Sequence, residues 1–387
     1  MDKTTFIKPL FRLTQQSENM GQAIVDFTHG DYNKEQGNAL IEADNDAEAI
    51  SAFLCEYKES PETLRSYAKE VERLLLWCIH VAKINISSLR RTHLQDYQNF
   101  LREPEPQKIW CGPSVSRLTK DGAWNPRWRA FAKGLGGASI NKSLTILDSF
   151  FNYLVQSNYL IGNPLAVDRR RKKRQTRTAN IIDRYLEKDE INAALSALND
   201  NSFQAIRARY LILLLFYTGL RIAESANHTM GDFKQRKDRW FLRIIGKGKK
   251  LREIPVPDVL LDALASFRKA VGLTPQPEFQ EKTPLIPMKN LTDPISTRRI
   301  DQILKWAFDL GAQHFEESAP NKASKLRQAS AHWLRHSYVT YLLEAGASLK
   351  VAQENAGHAD VSTTMHYTHV AQTNRHEETN QLTLKDD

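Results

Sequence analysis

Apolar positions recur every three or four residues along most of the chain, and one region only reads as strand. Over residues 47–57, Ile50, Phe53 and Leu54 share one side of a predicted helix. Ser60-Pro61-Glu62 is a start signal, with proline at the first helical position, where its missing N–H costs nothing. The helix that follows carries Leu64, Tyr67, Val71, Leu74, Leu75 and Cys78 on one face. Further helices are predicted over 92–101 and 139–160, the second with Ile140, Leu144, Leu147, Phe150, Phe151, Leu154 and Val155. Helix 203–217 packs Ile206, Tyr210, Leu213 and Leu214 and stops at Gly219. Residues 240–245, aromatic and β-branched, predict a strand; 246–248 turn and 252–256 return. Pro257-Asp258 opens a helix ending near Gly272, and another covers 296–310. Leu334, Tyr338, Tyr341 and Leu342 mark a helix that Gly346 closes; Gly357 closes the next, and Ser362 can cap a third. Residues 1–44 predict no element and read as a loosely packed lead-in.

The 387 residues suffice for two or three domains, and 41% hydrophobic content allows each a core. The net charge of +9 favours a polyanionic partner without selecting one. Three widely spaced cysteines, Cys55, Cys78 and Cys111, give neither a disulfide framework nor a cysteine zinc site, which points to a reducing cytosol. Lys3, Lys8 and Arg12 precede no long apolar core, so no signal peptide is expected. The longest apolar run, 211–216, is far short of the roughly 20 residues that cross a bilayer.

Two stretches interrupt the helical pattern. Residues 103–137 are rich in Pro, Gly, Trp and Arg, with Trp110, Trp124 and Trp128 near Lys120, Arg127 and Arg129. They read as an elaborated loop whose tryptophans pack on the helices, or as an extra DNA or partner contact. The run Arg169, Arg170, Arg171, Lys172, Lys173, Arg174 falls where one apolar-periodic region ends and another begins, where phosphate contact competes with plain solvation.

Chemistry-bearing residues gather towards the C-terminus. His332 and Arg335 stand three apart in one predicted helix, and so share a face. His358 follows Gly357 in a turn, and Tyr367 comes nine residues later. Upstream, Arg221 follows Thr218-Gly219-Leu220 and precedes Glu224, and Lys247 lies in the turn Gly246-Lys247-Gly248-Lys249-Lys250. Arginines, histidines and a tyrosine together suit an anionic phosphate and an oxygen nucleophile.

In this order and at these spacings the motifs resemble the signature of the tyrosine site-specific recombinases, the phage-integrase and Xer family. The resemblance is clear over about residues 180–370 and weaker over 45–165. It implies a mainly α fold: a helical core-binding (SAM-like) domain at 45–168 with an insertion at 103–137, and a basic linker at 169–180. A catalytic domain at 181–370 follows, mostly helical with a small antiparallel sheet, and then a polar tail at 371–387. It also implies that Tyr367 attacks a DNA phosphodiester to form a 3′-phosphotyrosyl bond, without ATP or other cofactor. Arg221, Arg335 and His358 would then stabilise the non-bridging oxygens. His332 would take the tyrosine proton, Lys247 would protonate the leaving 5′-oxygen, with Lys249 and Lys250 as neighbouring candidates, and Glu224 would orient the site. The partner would be double-stranded DNA carrying recombination sites, bound by a homo-tetramer or by a hetero-tetramer with a related recombinase. Accessory DNA-bending proteins and a cytoplasmic, nucleoid-associated setting fit the same picture.

Two other readings compete. His332 and His336 have the i, i+4 spacing of zinc-binding helices, but Trp333 stands where a zinc hydrolase needs glutamate, and Arg335 puts a positive charge beside the cation. No metal site is expected. A DNA-binding regulator of recombinase ancestry that does not cut would have no use for Arg221, His332, Arg335, His358 and Tyr367 together.

Overall fold

The computed structural model describes residues 7–11, 39–166, 184–246 and 250–357. The chain divides into two units, Met1–Arg177 and Thr178–Asp387.

In the first unit, Asn45 caps α1 (Asp46–Cys55), its side chain accepting the Glu48 N–H at 3.0 Å. Pro61 starts α2 (Pro61–Trp77), and α3 (Arg91–Arg102), the short α4 (Gln107–Trp110) and α5 (Gly137–Gln156) follow. The apolar stripes meet in one core built around Phe53, Leu74, Leu75, Tyr97, Phe150 and Phe151. Helix α5 stops four residues short of the expected 160, because Asn158 takes a left-handed φ of +59° that no helix continues.

The stretch 103–137 packs inward. Trp110, Trp128 and Phe131 are buried, and Trp110 meets Phe100 edge-on at 4.8 Å. Arg117 forks onto both oxygens of Glu72 at 2.6 Å, and Glu72 is 1% exposed. The same carboxylate accepts the N–H groups of Leu10 and Phe11 at 2.8 and 3.1 Å. At 7–11 the expectation of a loose lead-in is therefore corrected: Ile7 and Phe11 are in the core, fastened by a carboxylate on α2.

The second unit contains α6 (Lys188–Ser196), α7 (Phe203–Thr218) and α8 (Ile222–Asn227), then strands β1 (Phe233–Arg236), β2 (Arg239–Ile245) and β3 (Leu251–Val256). Helices α9 (Asp258–Ala270), α10 (Thr297–Gln313), α11 (Pro320–Gln328), α12 (Ala331–Glu344) and α13 (Leu349–Ala356) follow. Residues Tyr210 to Leu215 are all buried, so the second half of α7 is covered on every side and forms the centre of the unit. The strands form an antiparallel sheet in the order β1-β2-β3, with Leu242 opposite both Phe233 and Ile254. Leu242, Ile244, Ile254 and Val256 face the core, which is the period-two pattern of a sheet covered on one side. The architecture is thus mainly α with a small antiparallel sheet. Among the described residues no helix is long and apolar enough to cross a membrane.

Candidate active site

The site is built where helix ends meet. Helix α7 terminates at Gly219 with φ +58°, and Leu220 is buried, so the chain reverses and delivers Arg221 as the N-cap of α8. Glu224 sits three residues on and closes a capping box: its Oε2 accepts the Arg221 N–H at 2.8 Å. Its Oε1 accepts from Arg221 Nη1 at 2.9 Å. Arg221 Nη2 donates to the Gly357 carbonyl at 2.9 Å.

Arg335 arrives at the same place from α12. It is 2% exposed and donates through Nη1 to the Gly219 carbonyl at 2.5 Å, and through Nη2 to the Ala356 carbonyl. Two guanidiniums thus converge on the C-terminal end of α13, where unpaired carbonyls and the helix dipole favour positive charge. Residue 358 follows directly.

Glu224 also takes Arg252, from β3, at 3.2 and 2.7 Å. Burial alone would raise the Glu224 carboxyl, but hydrogen bonds and charge from Arg252 and then Arg221 outweigh it and hold the group below its usual value. The carboxylate therefore stays ionised between its two arginines. His228 joins the same segment to the sheet, its Nδ1 meeting the Glu224 carbonyl and its Nε2 accepting the Ile245 N–H, both at 2.9 Å. That pairing assigns the ring proton to Nδ1.

His332 lies on α12 with one edge exposed. Packing on its other side lowers its pKa below the ordinary imidazole value, and the charges of Arg335, Arg184 and Arg221 push the same way. His332 stands three residues before Arg335 on the same helix. Its ring meets that of His336 edge-on at 4.1 Å between centroids. Among the described residues no group of three His, Cys, Asp or Glu side chains gathers to hold a metal.

The structure thus brings Arg221, Glu224 and Arg335 together, with His332 one helical turn from Arg335. Lys247, His358, Tyr367 and the run Arg169, Arg170, Arg171, Lys172, Lys173, Arg174 lie outside the described residues. Arg252 and His228 were missed by the sequence reading. Arg252 left one signal: it shares a strand face with the buried Ile254 and Val256, an unusual place for a cation without a partner. His228 left none, since its partners lie on a helix and a strand that periodicity does not join.

Comparison with known proteins now bears on this geometry. The sequence model of the Phage integrase family matches residues 184–374. A tyrosine recombinase XerD of Caulobacter vibrioides is 30% identical over 246 residues, 62% of this chain and 73% of the relative. The chain belongs to the tyrosine recombinase family. A tyrosine recombinase of Thermosipho africanus is 28% identical over 326 residues, 84% of this chain and 94% of its own. The fold is shared with the XerH site-specific recombinase bound to palindromic difH substrate, at a TM-score of 0.57 and 18% identity over 88% of this chain and 85% of that one. Site-specific DNA recombination is the activity of this tyrosine recombinase family.

Proposed function

We propose that this recombinase cuts and rejoins DNA through Tyr367. The observation that carries the reading is the convergence of Arg221 and Arg335 on one helix end, with His332 one turn from Arg335 on the same helix. In the proposed step the Tyr367 oxygen attacks phosphorus. Its proton passes to neutral His332, the P–O5′ bond breaks, and the departing oxygen takes a proton from Lys247. The phosphotyrosyl diester keeps the bond energy, so a 5′-hydroxyl of the partner strand can reverse the step. Negative charge gathering on the non-bridging oxygens meets two planar guanidiniums and the His358 donor, a set that suits phosphate. Free tyrosine has a pKa of about 10, so it needs such a base at neutral pH.

The substrate is double-stranded DNA carrying recombination sites, bound by four protomers at the nucleoid. The basic run at 169–174 contributes phosphate contacts: each one lost reduces the slope of log affinity against log salt by about 0.9. The test of the chemistry is Tyr367→Phe on a nicked duplex, which lets the cleaved fragment diffuse away. Wild type accumulates an SDS-stable adduct and the variant binds DNA without forming one. An adduct with the variant would remove Tyr367 from the reaction.

A further inference from the structure

Arg252 enters the site from the sheet and touches three segments that converge there. Its forked contacts to both oxygens of Glu224 set it opposite Arg221 across one carboxylate. Its Nε donates to the Asn355 carbonyl at 3.0 Å, in the last turn of α13. Its side chain is only 9% exposed, as is that of Glu224. A Cβ at Gly246 would lie 2.8 Å from Arg252 Nη1, and one at Gly357 would lie 2.9 Å from the same atom. Gly357 also holds φ +62°, so this guanidinium is threaded between two backbones that only glycine brings so close. Gly246 leads into residue 247, and Gly357 leads into residue 358. Between them, the Gly246 N–H closes onto the Lys250 carbonyl at 2.9 Å and completes the base of that turn.

We propose that Arg252 is a positioning residue that holds Gly246 and Lys250, the two ends of the segment that carries Lys247, in register with Arg221 and with the end of α13. The inference rests on the reading of Lys247 as the acid and Arg221 as a phosphate clamp. The planar fork is what the task needs. It fixes direction to Glu224 and Asn355 at once, whereas an ammonium in its place keeps the charge and loses the geometry.

The test compares wild type, Arg252→Lys, Arg252→Ala and Lys247→Ala as full chains on a nicked recombination site. The bridging 5′-atom at the cut is oxygen in one substrate and sulfur in the other. A thiol ionises near pKa 8.5, far below a water-like hydroxyl, so sulfur leaves without a placed acid. Arg252→Lys is expected to bind DNA as wild type does and to cleave the oxygen substrate roughly 10- to 100-fold more slowly, the range of one charge-assisted hydrogen bond. Sulfur should restore it by a larger factor than it changes wild type, since misplacing the acid no longer matters. Amide hydrogen exchange at Gly246, Lys250 and residues 355–357 should quicken while α7 is unchanged. If Arg252→Ala does not fold, Arg252→Lys carries the same comparison. If sulfur rescues Lys247→Ala but helps Arg252→Lys no more than wild type, the inference is overturned. If sulfur fails to rescue Lys247→Ala, the assignment of the acid has failed and the exchange decides about Arg252. Faster exchange at the turn and at 355–357 supports its positioning role, and unchanged exchange refutes it.

Discussion

Glu72 in the first unit and Glu224 in the second are carboxylates held by an arginine fork, and their surroundings differ in one respect. Glu72 accepts from Arg117 and from the N–H groups of Leu10 and Phe11, while the Arg117 guanidinium lies over the Trp128 ring at 5.2 Å. Every partner there belongs to the fold, and the cluster closes a lead-in and a long loop onto α2. Glu224 has a fork in Arg252 that is buried further, 9% exposed against 18% for Arg117, but its second arginine is half-open: the Arg221 side chain is 39% exposed. The same chemistry serves two ends. A closed cluster fixes the chain, and a cluster with one guanidinium at the surface holds a cation where a phosphate can reach it.

The largest effect should come from breaking the closed cluster. Arg117→Ala leaves the Glu72 carboxylate buried without its cation and should cost about 3–5 kcal/mol of stability in urea unfolding. A cost below about 1 kcal/mol would mean that the pair behaves as a surface ion pair and would end the comparison. Arg221→Ala should do the reverse. It should slow cleavage by about 3 kcal/mol in a single-turnover assay on nicked DNA, with little change in the urea midpoint, because solvent screens the half-exposed group. A large stability loss with normal cleavage would make Arg221 another fold-closing residue. The smallest effect concerns His332. Its lowered pKa keeps the ring neutral, and able to accept a proton, until pH falls through that lowered value. Cleavage at pH 6.5 should therefore stay within about twofold of that at pH 8, with the acid limb lying below the ordinary imidazole pKa of about 6.5. His332→Gln should lack that limb. A limb at or above pH 6.5, or one that survives the substitution, would remove His332 as the base.

Helices with a long apolar stripe, such as Pro61–Trp77 and Thr297–Gln313, were legible because their apolar positions recur over many turns. Ile222–Asn227 has only six residues and is too short to show a period. Strand Phe233–Arg236 has a single apolar residue, Phe233, because it is an edge strand whose other side chains are outside the core. Pro320–Gln328 is mostly polar and buries only Ala323 and Leu326. At the site, Arg221 and Glu224 were readable as a pair because they lie one helical turn apart, as were His332 and Arg335.

By itself the sequence determined the helical spacing, the glycines at the ends of four helices, Gly219, Gly272, Gly346 and Gly357, and the order of arginine, lysine, histidine and tyrosine that marks the family. All of these are local or sequential facts, carried by residues a few positions apart or by their rank along the chain. Only the tertiary structure decided which groups share a partner. Arg221 meets the Gly357 carbonyl 136 residues away, Arg335 meets that of Gly219 116 away, and Arg252 meets that of Asn355 103 away. The physical reason is that a buried ion or carbonyl must find compensation wherever packing brings it, and periodicity, which reports only which face is apolar, does not encode that partner.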